Sequence, residues 1–240
     1  MCFTVNVNIV KEELESRYGS NLLDPEKYSP SYYYHAFAYP ELPVAYNNEG
    51  SMQMSLFNWG LIPGWINDVD EAKRIRSMTH NARSETIDEK PSFAESFRNR
   101  RCLVPVAGFF EWQHIGSAKR PWYIYSKESA IISLAGIYDR WHNEIESRDI
   151  YSFSILTTRA NSKMSEIHNS KRRMPVIVPV EKEEEWLSGD TDKIKELFVP
   201  LDDALLSYHT VNPSLGKQSA SKKRSGIIEP YLYPEEPTLF

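Results

Sequence analysis

Cysteine is scarce in this sequence. Only Cys2 and Cys102 occur among the 240 residues. Two cysteines cannot form a disulfide framework in a chain of this length, and neither is spaced from other Cys or His residues as zinc ligands are. We therefore expect a protein of a reducing compartment. The place of Cys2, directly behind Met1, calls for another explanation.

Long apolar runs are also missing. The charged segment KEELESR begins at Lys11, before a signal-peptide core could form, and no run approaches the ~20 apolar residues of a spanning helix. We expect a soluble, cytoplasmic protein without membrane contact. The net charge of −5 argues against a generic polyanion binder, because such affinity comes from Lys and Arg side chains that neutralise phosphates. Any nucleic-acid site must be local.

Basic residues nevertheless form three short clusters. The clusters are Lys73, Arg74, Arg76, His80 and Arg83; Arg98, Arg100 and Arg101; and Lys171, Arg172 and Arg173. Each cluster alone is typical of a solvated surface. Because all three flank the motifs that carry chemical groups, they favour a local anion site.

The apolar pattern predicts a strand-dominated α+β fold. Polar and apolar residues alternate from Cys2 to Ile9, which indicates a strand with Cys2 on its polar face. Further strands are predicted at SMQMSLFNWGLI, RCLVPVAGFFEW, PWYIYS, AIISLAGIYDRW, YSFSILTT and MPVIVP. Helices are predicted over 11–17, 180–187 and 192–198. We expect one domain over residues 1–226, with a mostly antiparallel sheet or barrel and peripheral helices. The segment KQSASKKRSG should be an exposed loop, and residues 227–240 a loosely attached, Pro-rich acidic tail.

Cys2 offers unusual chemistry once Met1 is removed. Its α-amine, with a pKa of roughly 7.7 to 8.0, and its thiol, with a pKa of about 8.5, would stand on adjacent carbons. The amine can form an imine with an aldehyde, and the thiol can then close a five-membered thiazolidine. This pair therefore favours an aldehyde substrate over an ester or a peptide.

Glu111 and His168 are candidate acid and base groups. Glu111 lies in the apolar run VAGFFEW, where burial would raise the pKa of the carboxyl and make it a general acid. An exposed glutamate at a strand edge is an equally good interpretation of this stretch. His168 precedes three cations, which suits a site beside a phosphate.

Four more side chains are candidates for DNA contact. Asn81 and Arg83 share one face of an extended segment, with an amide for orientation and a guanidinium for phosphate. Trp59 and Trp65 flank a Gly and Pro turn in FNWGLIPGW. Exposed indoles stack on unpaired bases with about 1–3 kcal/mol per base, which would favour single strands.

These motifs together resemble one family. In chain order they are MC, WGLIPGW, NARSE, RRCLVPVAGFFEW, LAGIYDRW, SFSILTT, IHNSKRRMPVIV and HTVNPSLGK, spanning Met1 to Lys217. The set resembles the SRAP family, the SOS response-associated peptidases or abasic-site processing proteins. The resemblance implies a compact α+β domain with a barrel-like sheet and a basic channel for single-stranded DNA. We expect a monomer that associates with the nucleoid during the DNA damage response.

The resemblance also implies roles for individual residues. Cys2, freed of Met1, would crosslink to the aldehyde of an abasic site in single-stranded DNA as a thiazolidine and so protect the site. Asn81 and Glu111 would line the sugar pocket beside His168. Beyond what the resemblance implies, we expect Arg83 and Arg173 to hold the flanking phosphates, with Arg172 and Lys171 as alternatives to Arg173. No metal or organic cofactor is implied, and the family name implies a peptidase activity that removes Met1.

The sequence departs from the family pattern at two places. The family commonly opens with MCGR, whereas Phe3 and Thr4 follow Cys2 here, so one phosphate contact is either missing or supplied from elsewhere. The segment NSKR also lengthens the spacing between His168 and Arg173. Two other functions stay open on the residues alone: a hydrolase with an N-terminal cysteine nucleophile, and a non-covalent binder of single strands or modified bases.

Overall fold

The structure is a computed structural model that describes residues 2–216 and 224–234. Its strands, in chain order, are β1 Thr4–Val7, β2 Ser31–His35, β3 Glu41–Asn48, β4 Ser51–Trp59, β5 Asn81–Arg83, β6 Arg101–Val106, β7 Gly108–Ile115, β8 Ala118–Ser126, β9 Ile132–Asn143, β10 Arg148–Arg159, β11 Arg173–Pro175, β12 Ile177–Val178 and β13 Leu206–Thr210. Its α-helices are α1 Lys11–Tyr18, α2 Val69–Arg76, α3 Ala94–Asn99, α4 Ser162–Ile167 and α5 Glu183–Ser188. Strand content dominates, as the apolar pattern predicts.

Five strands close into a barrel. The pairing runs β10, β4, β3, β6, β9 and back to β10, and only the contact between β10 and β4 is parallel. Three short strands extend the barrel: β5 and β11 pair with β10, and β12 pairs with β9. The α+β class and the barrel-like sheet are confirmed. Closure removes the unpaired edges that an open sheet would expose.

The barrel interior is tightly packed. Leu103, Leu134 and Ile137 on the barrel strands β6 and β9 are fully buried, on both faces of these strands. A Cβ atom added at Gly136 would lie 2.8 Å from the Sγ atom of Cys102, closer than packed atoms approach. Cys102 therefore acts as a small core residue beside a glycine, which fits the usual place of a free cysteine.

A second sheet carries Glu111 and the segment that follows Cys2. Its order is β13, β8, β7, β1, β2, so β1 lies at the interior of the sheet between β7 and β2. All four β1 residues are buried, and Cys2 just before the strand has no exposed surface. The face that the sequence marks as polar, with Cys2, Thr4 and Asn6, is therefore a buried one. Alternation along one strand shows which residues share a face, but not whether the rest of the fold covers that face.

The helical predictions hold in part. Helix α1 matches the prediction over 11–17 and ends at Gly19, whose φ of 62° suits a left-handed C-cap. The segment predicted over 180–187 is a 3₁₀ turn, Val180–Lys182, followed by α5, and the next is a 3₁₀ helix, Lys193–Leu197. No described helix is long and apolar enough to cross a bilayer.

The chain after the barrel is more firmly attached than predicted. Ile227 is buried, the backbone N–H of Tyr231 donates to the carbonyl of Thr210 at 2.8 Å, and the Tyr233 hydroxyl donates to the carbonyl of Val211 at 3.1 Å. A loosely attached tail is therefore wrong for residues 227–234. Residues 217–223 of the predicted exposed loop and residues 235–240 lie outside the described ranges.

Candidate active site

Cys2 is held by an amide from the barrel. The short strand β5 runs parallel to β10, with Asn81 paired to Ile155, and this carries Asn81 to the start of β1. Its Nδ2 atom donates a hydrogen bond to the backbone carbonyl of Cys2 at 2.9 Å. Both side chains are buried. The contact fixes the backbone of Cys2, so the direction of its amine and thiol is set by a residue 79 positions away.

Glu111 reaches the same place along β7. Because β1 and β7 are antiparallel with Val5 opposite Phe109, the register carries Glu111 to the level of Phe3. The carboxyl is buried, and burial raises its pKa to about 7. A carboxyl with this pKa is partly protonated near neutral pH and can donate a proton. The interpretation of Glu111 as an exposed edge residue is thus wrong.

The Cys2 thiol stays protonated in this environment. Burial raises its pKa well above the ordinary range, and the charge of Glu111 raises it further. Negative charge is therefore disfavoured on both groups at once. A proton taken from the thiol must pass to a nearby base as the thiol attacks.

His168 stands beside Glu111 at the end of helix α4. Its backbone N–H caps the helix on the carbonyl of Met164 at 2.7 Å, and its Nδ1 atom bonds to the carbonyl of Arg173 at 2.8 Å. Since a carbonyl only accepts, Nδ1 carries the hydrogen and Nε2 carries the lone pair. The same Nδ1 lies 3.8 Å from Oε1 of Glu111. Burial is the main cause that lowers the pKa of His168 to about 4, so the imidazole is neutral near pH 7.

Glu111 and His168 open onto one surface cavity of about 250 Å³. Its lining residues are Phe3, Glu111, Trp112, His114, Lys119, His168, Ser170 and Lys171. The two lysines are exposed and make no ion pair with the described residues. An acid, a neutral imidazole and unneutralised positive charge therefore share one opening, which suits an anionic substrate that needs proton transfer.

The predicted arginines differ in their surroundings. Arg173 is buried, and its guanidinium donates to the carboxylate of Glu85 and to the carbonyl of Thr157. Burial acts to raise the pKa of Glu85, but the contact with Arg173 outweighs it, and the pKa lies below its usual value. Arg173 thus braces β10 and β11, while Arg83 and Arg172 are exposed. The cations that face the cavity are lysines rather than Arg173.

One of the two tryptophans is excluded as a stacking residue. Trp59 is fully buried, stacks on Phe153 with ring centroids 6.1 Å apart, and donates its Nε1–H to the carbonyl of His80 at 2.9 Å. The prediction that Trp59 stacks on a base is therefore wrong. Trp65 is 53% exposed and stays available.

Sequence reasoning missed Lys119 and His114. Strands β7 and β8 form a hairpin in which His114 pairs with Lys119, so both side groups stand at the cavity. The signal is present in HIGSAK, where Gly116 has a φ of 55° and turns the chain. No group of three or more His, Cys, Asp or Glu side chains able to hold a metal ion occurs in ranges 2–216 and 224–234.

Comparison with known proteins places this geometry in a family. The model of the family described as SOS response associated peptidase (SRAP) matches residues 1–218. The chain is 38% identical to the abasic site processing protein YoqW of Bacillus subtilis, over 65% of this chain and 68% of the relative. It is 36% identical to YoaM of the same organism, over 73% and 75%. A crystal structure of a protein from Bacteroides thetaiotaomicron superposes with a TM-score of 0.90 at 37% identity, covering 96% of this chain and all of that one. The chain therefore belongs to the SRAP family.

Proposed function

We propose that this protein processes abasic sites in single-stranded DNA by bonding covalently to them through Cys2. The observation that carries this proposal is the cluster around Cys2. Asn81 holds the Cys2 carbonyl, and Glu111 and His168, 3.8 Å apart, line the cavity together with Phe3, the residue after Cys2. Relatives at 36–38% identity are named abasic site processing proteins, which supports the substrate class. An abasic deoxyribose carries a hidden aldehyde, the group that an N-terminal aminothiol traps.

The first step opens the sugar ring. Glu111, with its pKa of about 7, gives a proton to the ring oxygen. The C1′ hydroxyl loses its proton to Nε2 of neutral His168, and the C1′–O4′ bond breaks to leave an aldehyde. Near pH 7 the imidazole of His168, with its pKa of about 4, is neutral and can accept a proton, while Glu111, with its pKa of about 7, is partly protonated and can donate one.

The next steps join the protein to C1′. The free amine of Cys2 adds to the aldehyde carbon, and loss of one water gives the imine. The thiol then adds to the same carbon, forming the S–C bond, and its proton ends on the ring nitrogen through the Glu111 carboxylate left by the first step. Aldehyde and aminothiol thus become a thiazolidine plus water, without a redox change. The reverse sequence, started by proton donation from Glu111, would release the DNA.

Phosphates on either side of the sugar would meet the exposed cations. Lys119 and Lys171 stand at the cavity where negative charge would arrive, and Arg83 and Arg172 extend the positive surface. Trp65 is a further candidate contact for an unpaired base. Single strands fit this arrangement because a flexible backbone can bring one sugar into a recess.

We also propose that the chain removes Met1 itself. The Cys2 thiol would attack the carbonyl carbon of Met1, breaking the peptide bond and leaving a thioester with a free Cys2 amine. Water would then hydrolyse the thioester to release methionine and restore the thiol. Intact mass spectrometry of the freshly made protein should show loss of one methionine in the wild type and its retention in Cys2→Ala. Equal retention in both would remove self-processing from the proposal.

The crosslink itself is tested with synthetic DNA. Mature protein is mixed with a single strand bearing one abasic site and run on a denaturing gel after heating. Wild type should give a heat-stable adduct, whereas Cys2→Ser and Cys2→Ala, which keep the α-amine but lack the thiol, should give at most a labile imine that heating removes. Labelling by an acyl electrophile without any DNA adduct would favour an N-terminal hydrolase instead. Tight binding without an adduct would favour a non-covalent binder.

A further inference from the structure

We infer that Phe3 and Phe37 form a platform on which one nucleobase next to the abasic sugar stacks. This inference rests on the proposed function and adds a contact to it. Phe3 lines the same cavity as Glu111 and His168, directly after Cys2 in the chain. A sugar placed at Cys2 therefore brings a neighbouring nucleotide to the ring of Phe3.

The backbone holds Phe37 against Phe3. The N–H of Ala36 donates to the carbonyl of Phe3 at 2.8 Å, which ties the 3₁₀ turn Ala36–Ala38 to the start of β1. The ring centroids of Phe3 and Phe37 lie 5.1 Å apart. Phe37 is nonetheless 52% exposed, so this large apolar ring presents much of its surface to solvent at the edge of the site.

More rings support the platform from behind. His80 lies 4.7 Å from Phe37 and stacks on Tyr39 at 5.4 Å, while the guanidinium of Arg76 lies 4.2 Å from the Tyr39 centroid. Burial and the neighbouring charge of Arg76 lower the pKa of His80 to about 4, so this ring is neutral near pH 7. Phe37 therefore rests on a packed aromatic layer and cannot withdraw easily from solvent.

The chemistry of the platform selects a base over a phosphate. Phenyl rings offer no hydrogen bond and no charge, but they stack on every nucleobase, and purines present the larger face. In this chain Phe3 stands where the family motif commonly has glycine before a DNA-contacting arginine. Phe3 thus adds a stacking ring directly beside Cys2, while Thr4 stands in the place of the arginine.

The test compares neighbours of the abasic site. Single strands carry an adenine, a thymine or a base-free tetrahydrofuran unit on one side of the reactive sugar, then on the other. Crosslinking rates are measured with protein well below saturation. On one side, wild type should react about tenfold faster beside adenine than beside the base-free unit, the size that stacking on an aromatic side chain gives. Phe37→Ala should reduce this ratio to near one.

Matched variants separate stacking from other causes. Leu23→Ala removes a side chain of similar exposure, 51%, and should keep the wild-type ratio. Phe37→Leu keeps apolar surface but no ring and should behave like Phe37→Ala. An unchanged ratio in Phe37→Ala, or an equal loss in Leu23→Ala, would overturn the platform while the adduct still forms. Absence of adduct on every substrate would instead overturn the proposed function.

Discussion

The side-chain amide of Asn81 donates a hydrogen bond from Nδ2 to the backbone carbonyl of Cys2 at 2.9 Å. This contact joins the barrel strand β10, through β5, to the first residues of the chain. A terminal segment would otherwise fray and let its reactive groups point in many directions. The hydrogen bond therefore links the stability of the barrel to the orientation of Cys2.

Asn81→Ala should slow crosslinking far more than it lowers stability. Loss of the hydrogen bond should cost about 1 kcal/mol in the free energy of unfolding. Without the hydrogen bond Cys2 can leave its reactive position, and this should lower the crosslinking rate by about 10- to 100-fold. Chemical denaturation and single-turnover gel kinetics measure the two effects.

Asn6→Ala is the matched control for that variant. Asn6 is also buried on β1 and donates to the Tyr123 hydroxyl at 2.8 Å, away from Cys2. It should lose similar stability and keep a crosslinking rate near that of wild type. An equal slowing in both variants would mean that Asn81 acts only through the stability of the fold.

Glu111 should make crosslinking depend on pH. Because its pKa is about 7, the acid form is lost as pH rises, and ring opening should slow above neutrality. Glu111→Gln should lower the rate by about 10²–10⁴-fold and remove this limb of the profile. A substrate whose aldehyde is already open does not need ring opening, so it should restore much of the crosslinking rate of Glu111→Gln. A profile unchanged by Glu111→Gln would contradict the role of the carboxyl as acid.

The same carboxyl should affect stability. Its pKa is higher in the folded protein than the usual 4.5, so its contribution is full below pH 4.5 and is lost as pH rises through about 7. Glu111→Gln cannot ionise, so its stability relative to wild type should rise between pH 4.5 and 8. Denaturation curves of both proteins at these two pH values give the difference in their free energies of unfolding. A difference that is the same at both pH values would contradict the argument that burial raises the pKa of Glu111.

Lys119 and Lys171 should account for part of the salt dependence of DNA binding. Each phosphate contact to a single strand contributes about 0.7 to the slope of log affinity against log salt concentration. Replacement of either lysine by alanine in a Cys2→Ala background should lower the slope by about that amount. Lys27→Ala removes an exposed lysine paired with Asp24 and should leave the slope unchanged. Equal slopes in all variants would place the phosphates elsewhere.

The barrel core gives a prediction independent of DNA. Because a Cβ at Gly136 would meet Sγ of Cys102 at 2.8 Å, Gly136→Ala should destabilise the protein by about 1–3 kcal/mol. Adding Cys102→Ala removes the clashing atom and should recover part of that loss. If the two changes add independently in thermal unfolding, the close contact is not the cause.

The sequence predicted most of the strands for physical reasons. Runs such as AIISLAGIYDRW are too apolar to be anything but core, and they form β9. The family motifs identify Cys2, Asn81, Glu111 and His168, and the structure brings them together. Long, strongly patterned segments leave little choice of conformation.

The parts of the fold and of the site that the sequence did not predict depend on contacts that no local sequence pattern contains. Strands β2, β3 and β13 were missed because polar residues, aromatic residues or, in β3, a proline interrupt their apolar signal. The short helices α2, α3 and α4 were also not predicted. Trp59 lies in a turn-rich motif, yet the barrel covers it completely. Arg173 is buried because its guanidinium pairs with the carboxylate of Glu85, 88 residues earlier in the chain. Burial of this kind is decided by partners that are distant in sequence.

Intact mass spectrometry of the DNA adduct tests the central claim most directly. After incubation with a single strand bearing one abasic site, the product mass should equal the protein without Met1, plus the DNA, minus one water. Peptide mapping should locate the bond at Cys2, and Cys2→Ala should give no such species after heating. A wild-type protein that stays at its free mass, or an adduct that Cys2→Ala forms equally well, would contradict the account.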